Sequence, residues 1–268
     1  MKVRLNPNTI YQKILQNKIN RIEGIEFLIS IIEKSENTSS RIESLNILNK
    51  LKTRDQIVFR TLENCIISDE YEEIRIISAK IILENYFKVG ENCLEWVLLN
   101  DKSSKFLKVL AKSLNDPEID HFRSLYAVYL QRLEKIAENL DVVSEEVPFL
   151  LDLEFNLDNY NSFNWNSNSK LIYDDDVMLK VQDQRILELS ISLRDQIPSS
   201  IKLLKNLKNL NLSCNNLTNL PDTLSDLINL ESLDLSWNDF KVVPNVLNEL
   251  KSIKKINFEN NLIHKCPN

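Results

Sequence analysis

The chain has 268 residues, 43% of them hydrophobic, with 33 Lys and Arg against 39 Asp and Glu and a formal net charge of −6. That length and apolar content suffice for one large or two ordinary domains with full cores. Two glycines, Gly24 and Gly90, exclude the glycine-rich phosphate loops and the Gly-x-Ser-x-Gly nucleophile turn, and two histidines, His121 and His264, leave little for zinc or acid–base chemistry.

No run of 18 apolar residues predicts a membrane span, and the opening MKVRLNPNTIYQK lacks the apolar core and cleavage site of a signal peptide. The charge is uneven. Residues 1–140 hold 21 basic and 20 acidic residues, 141–183 hold 2 and 10, and 184–268 hold 10 and 9. No segment carries the basic stripe that nucleic-acid binding requires. Cys65, Cys93, Cys214 and Cys266 are scattered without a Cys-x-x-Cys pair, which reads as free thiols in a reducing cytosol.

Residues 1–140 read as helices. The turn Asn6-Pro7-Asn8 precedes a first helix at about 8–18. Ile22, Ile25, Phe27, Leu28, Ile31 and Ile32 form an apolar stripe at helical spacing. Ser and Thr in the 35–40 loop cap a helix holding Ile42, Leu45, Leu48 and Leu51. Another helix runs over about 54–67, and one follows Asp69–Arg75. Gly90 breaks the chain before a helix through Trp96, and two more lie at about 103–115 and 118–140, the last opened by Asp116-Pro117.

Paired helices with short turns predict an α-solenoid or a small bundle. Residues 55–87 resemble a HEAT repeat, in which a turn Asp stands six residues before an Arg of the second helix. Asp69 and Arg75 have that spacing. In the neighbouring units Arg41 has Ser35 at the matching place, and Asp101 has only Lys105 nearby.

Residues 141–183 connect the helices to the C-terminal third of the chain. Val142 to Leu153 is apolar and suits a short helix with Pro148 in its first turn. The Asn- and Ser-rich stretch from Phe155 to Lys170 reads as a loop. Val177, Leu179 and Val181 alternate, so 171–189 is expected to form a hairpin closing the end of the C-terminal segment. Asp174-Asp175-Asp176 is its turn, without the spacing of a calcium loop.

From Gln184 the chain repeats every 23 residues, with units starting at 184, 207, 230 and 253. Leu210 and Leu212 match Leu233 and Leu235, then Ile256 and Phe258. Asn215, Asn238 and Asn261 recur, as do Pro221 and Pro244. Each Leu-x-Leu is a short strand, and each stacked Asn can bond the backbone of the neighbouring turn. Pro on this schedule excludes one amphipathic helix. The pattern resembles the leucine-rich repeat, and its length with Leu-Pro resembles the Ras-group class. The first unit departs at Ser192 and Arg194, and the last ends at Cys266-Pro267 without a return arc.

The resemblance implies an α+β repeat architecture: helical residues 1–140, a connector and cap at 141–183, and a parallel repeat sheet at 184–268. Outward residues should line a concave face in columns. One column is Glu188, Asn211, Asp234 and Asn257, and another contains Ser236. The column Ile191, Cys214 and Trp237 makes an apolar strip, and Trp is the residue type most enriched at binding hot spots. The expected function is a non-enzymatic cytoplasmic adaptor, without cofactor or metal, that binds protein rather than nucleic acid or membrane. The Ras-group resemblance implies a small GTPase or signalling protein as partner. The alternative is a targeting subunit of a larger signalling enzyme assembly. The last repeat's open edge offers a surface for self-association.

Overall fold

The computed structural model describes residues 6–114, 122–166 and 168–263. His121, His264, Cys266, Pro267 and the Asp116-Pro117 pair lie outside the described residues. The chain divides into two compact units, Met1–Asp101 with Val109–Tyr129, and Lys102–Lys108 with Leu130–Asn268.

Asparagines start the first three helices. Asn6, Asn20 and Asn37 each accept a backbone N–H of the first turn, ahead of α1 (Pro7–Leu15), α2 (Arg21–Lys34) and α3 (Thr38–Lys50). In the 35–40 loop the cap is therefore Asn37 rather than a Ser or Thr. Helices α4 (Gln56–Ser68), α5 (Glu72–Asn85) and α6 (Phe87–Asn100) follow. Helices α1, α3 and α5 pack in succession, as do α2, α4 and α6, so odd and even helices form two layers, with the closest packing between layers in the α2–α3 and α4–α5 pairs. Leu28, Ile32, Leu45, Leu48, Leu62 and Ile82 fill the space between them with no exposed surface.

Gly90 does not break the chain. It lies inside α6, and a Cβ built there would stand 2.2 Å from Ile82 Cγ2. Glycine is required for α6 to approach α5. Two Arg–Asp pairs bridge successive helix pairs of this unit. Arg41 of α3 pairs with Asp69 in the α4–α5 turn. Arg75 of α5 pairs with Asp101 after α6, Nε to Oδ2 at 2.8 Å. Arg75 reaches only the backbone carbonyl of Asp69, at 3.0 Å. Asp101 thus has an arginine partner one helix pair earlier.

Helices α7 (Ser104–Leu114) and α8 (Arg123–Leu140) lead into a 3-10 turn at Ser144–Glu146 and α9 (Val147–Asp152), with Pro148 in its first turn. In the second unit seven strands form one sheet in chain order: β1 (Asn161–Asn166), β2 (Ser169–Tyr173), β3 (Val177–Gln182), β4 (Arg185–Ile191), β5 (Asn209–Asn211), β6 (Ser232–Asp234) and β7 (Lys255–Asn257). The sheet is mixed. β1 to β4 pair antiparallel, and only β4 to β7 pair parallel. The 155–170 stretch, expected as a loop, therefore contains a strand, and the cap is a four-strand meander rather than one hairpin.

The parallel strands return through 3-10 turns at Ser199–Leu203, Asp222–Asp226 and Asn245–Glu249, each opened by a proline: Pro198, Pro221 and Pro244. Each proline fixes φ near −65° where the return begins. Leu212, Leu217, Leu224, Leu230, Leu235 and Phe240 have no exposed surface and form the repeat core.

Candidate functional site

The asparagine ladder sets the geometry of the repeats. Asn215 Nδ2 donates to the carbonyls of Ile191, Leu212 and Ser213, and Asn238 Nδ2 to those of Leu212, Leu235 and Ser236. Their Oδ1 atoms accept from the N–H groups of Arg194 and Leu217. Asn261 repeats the pattern on Leu235, Phe258 and Phe240. These side chains satisfy backbone groups at the turns, where no regular strand ladder does.

Cross-strand partners share a face, so the pairing assigns two rows to the sheet's open side. One runs Phe163, Leu171, Lys180, Glu188, Asn209, Ser232 and Lys255. The other runs Asn161, Tyr173, Met178, Ser190, Asn211, Asp234 and Asn257. The opposite side carries the buried residues Ile172, Leu179, Leu189, Leu210 and Leu233.

Of the residues expected to form one column, Asn211, Asp234 and Asn257 share the second row, but Glu188 stands in the first, opposite Asn209, and Ser190 takes the place beside Asn211. Glu188 is bonded to Lys180 Nζ at 2.7 Å. Asn211 accepts from the N–H of Ser213. Asp234 Oδ1 accepts from the Ser236 N–H and hydroxyl, and Oδ2 accepts from Asn257 Nδ2 at 3.2 Å. Burial pushes the Asp234 carboxyl up, but these hydrogen bonds and the charge of Lys255 outweigh it and hold it below the usual carboxylate range. Ser236 itself is buried and serves Asp234 rather than facing outward.

Ile191 is not part of an exposed strip. It is 1% exposed and ends β4, paired with Val177 of β3. The reason lies in the register: the first unit pairs Leu189 with Leu210, 21 residues on, whereas later units are 23 apart. In later units the chain leaves the strand through a left-handed residue, with φ of 57° at Cys214, 57° at Trp237 and 56° at Asn260. In the first unit that conformation falls two residues later, at Leu193 with φ of 59°. The exposed edge is therefore Leu193, Cys214, Trp237 and Asn260, and Trp237 is 61% exposed. The N–H of Cys214 donates to Ser236 O and that of Trp237 to Glu259 O, tying each turn to the next.

Sequence reading missed the meander's share of this face. Phe163, Tyr173 and Met178 are 58%, 41% and 44% exposed. The usable signal was the residues between Val177, Leu179 and Val181: when one set of an alternating strand is buried, the other must face outward. In the helical unit, Cys65 and Cys93 are buried and burial pushes both thiols up to about 11, so neither is a nucleophile at neutral pH.

The family model described as Leucine rich repeat matches residues 185–240. No curated protein matches the chain. Eleven chains of solved structures match it. One, described as "Crystal structure of PEPR1-AtPEP1", is 32% identical over 29% of this chain and 12% of its own, with a TM-score of 0.26. The matched part thus spans about an eighth of that structure's chain. Residues 185–240 carry leucine-rich repeats, a module that generally mediates protein–protein interaction.

Proposed function

We propose that this protein is a non-enzymatic, cytoplasmic adaptor whose protein partner binds the open face and upper edge of the repeat sheet. The observation that carries this reading is Trp237. It combines a left-handed backbone, which L-residues with bulky side chains avoid, with an indole that is mostly exposed. Beside it, Asp234 is held ionised and fixed in place by three hydrogen bonds, so its charge is pre-positioned.

The repeats are assigned to the 23-residue Ras-group class, which makes small GTPases and signalling enzymes the first partners to test. The helical unit is read as HEAT-like. Its support is the Arg41–Asp69 and Arg75–Asp101 succession, in which the arginine of one helix pair holds the turn aspartate of the next. The outer edge of β7 is the proposed contact for self-association, since Ile256 there is 39% exposed.

Quantitative affinity capture from native extract with the wild type, Trp237→Ala and Asp234→Lys tests the binding face. Both variants should lose the same partners by at least tenfold. An unchanged set in both variants overturns the reading. Phosphatase or ligase activity in the captured material would instead support a targeting subunit of a larger assembly.

A further inference from the structure

The open side of the meander is the least explained surface of the second unit. Phe163, Leu171, Tyr173 and Met178 are neighbours across β1, β2 and β3, and three of the four are more than 40% exposed. A sheet face buried by its own chain would not leave an aromatic pair and a methionine in solvent, and clustered exposed apolar residues mark interaction sites. This patch continues without a break into the rows that contain Glu188, Asn211 and Asp234.

The charges around it specify the occupant. The end where the parallel strands finish is acidic. Asp175 and Asp176 stand in the β2–β3 turn, Asp234 ends β6, and Glu259 follows β7. Arg194, a cation at that end, is already bonded to Asp176 and to the Leu153 carbonyl. At the other end Lys208 and Lys254 stand just before β5 and β7, with Glu231 before β6 bonded to Lys254 at 2.6 Å, so that end is mixed rather than acidic. The net charge of this segment is near neutral, so the polarity shows only once the strands are in register.

We propose that the open face from β1 to β7 docks an extended polypeptide segment of a partner protein, with apolar side chains on Tyr173, Met178 and Phe163 and Lys or Arg side chains toward Asp175, Asp234 and Glu259. This rests on the protein-binding reading of the sheet and adds the chemical class of the ligand. Seven strands at about 4.8 Å spacing span roughly 29 Å, which an extended segment of about nine residues covers.

The test is binding of full-length protein to three labelled 12-residue peptides, followed by fluorescence anisotropy. One alternates Leu or Phe with Lys or Arg. The second replaces the basic residues with Glu, and the third replaces the apolar residues with Ser. The first should bind at least tenfold tighter than either other, and weaken several-fold as salt is raised from low to high ionic strength. Tyr173→Ser with Met178→Ser should weaken it at least fivefold, with an unchanged thermal midpoint since both side chains are exposed. Asp175→Lys with Glu259→Lys should reverse the preference toward the Glu peptide.

Equal binding of the acidic and basic peptides overturns the proposal. So does affinity indifferent to Tyr173 and Met178, or a concentration-dependent dimer abolished by those substitutions, which would give the face to a second copy. Trp237→Ala separates this proposal from the adaptor reading. If natural partners need Trp237 but not Tyr173 and Met178, the adaptor reading stands and this one falls. If peptide binding needs the meander but not Trp237, this one stands and the Trp237 site falls.

Discussion

Trp237 and Asn260 occupy equivalent turns with φ of 57° and 56°. The left-handed conformation costs an ordinary L-residue about 1–2 kcal/mol, and Asn tolerates it better than any other non-glycine residue. Trp237→Asn should therefore raise stability by about 0.5–1 kcal/mol in urea unfolding while abolishing partner binding. A loss of stability instead would make the indole a packing residue. Glu146 is the second informative residue. Its side chain is fully buried, its Oε2 accepts from the Ile186 N–H at 3.0 Å, and Arg185 Nη1 lies 3.7 Å from Oε1. Burial pushes its pKa up from 4.5 to about 7, against the pull of the Ile186 N–H and Arg185. The folded state thus holds the proton more tightly than the unfolded chain. The resulting stabilisation is fully present below about pH 4.5 and is lost as pH rises through 7. Between those limits it amounts to about 3 kcal/mol. Glu146→Gln keeps an acceptor for Ile186 and should be more stable than wild type at pH 8, with the difference vanishing near pH 4.

At the scale of elements, what the sequence revealed depended on whether a pattern is local. The leucine spacing and the Asn and Pro positions are set by each repeat's own turn, so the repeat strands and the stacked asparagines were readable in advance. Gly90 was not. In a sequence it is the same glycine whether it ends a helix or lies where two helices touch, and only Ile82 decides between them. Gly90→Ala should destabilise by about 1–2 kcal/mol, because overpacking of about 1–3 kcal/mol exceeds the gain of up to about 1 kcal/mol in helix propensity. Removing the clashing methyl with Ile82→Ala should make the second substitution nearly neutral, so the double-mutant cycle must show strong coupling. Strand β1 was hidden for a different reason. Asn161, Ser162 and Asn164 have poor strand propensity, and the strand forms because β2 supplies partners for its backbone. Ile191 was misplaced because the first unit pairs Leu189 with Leu210, 21 residues on rather than 23, and in sequence that offset looks like an ordinary degenerate repeat.

At the scale of the whole molecule, the open question from sequence was whether the first helices stack as a solenoid or collapse as a bundle. The two-layer packing and the two Arg–Asp pairs bear on it energetically. Asp101 is 7% exposed at its side chain and Arg75 17%, so removing one partner leaves a largely buried charge. Such a loss costs about 3–5 kcal/mol when burial is complete, and somewhat less here. Where each helix pair contacts only its neighbours, that loss stays local. Arg75→Met should therefore speed amide exchange in α5 and α6 strongly while leaving α2, two helix pairs away from Asp101, near its wild-type protection. Arg75→Met with Asp101→Leu should restore most of the protection, because no largely buried carboxylate remains without its arginine. In an irregular bundle every helix shares one core, and the same substitution would lower protection in α2, α3, α5 and α6 alike. Hydrogen exchange read by mass spectrometry distinguishes the two. A uniform loss would remove the HEAT-like reading, and a loss confined to α5 and α6 would make the Arg–Asp succession the coupling between adjacent units.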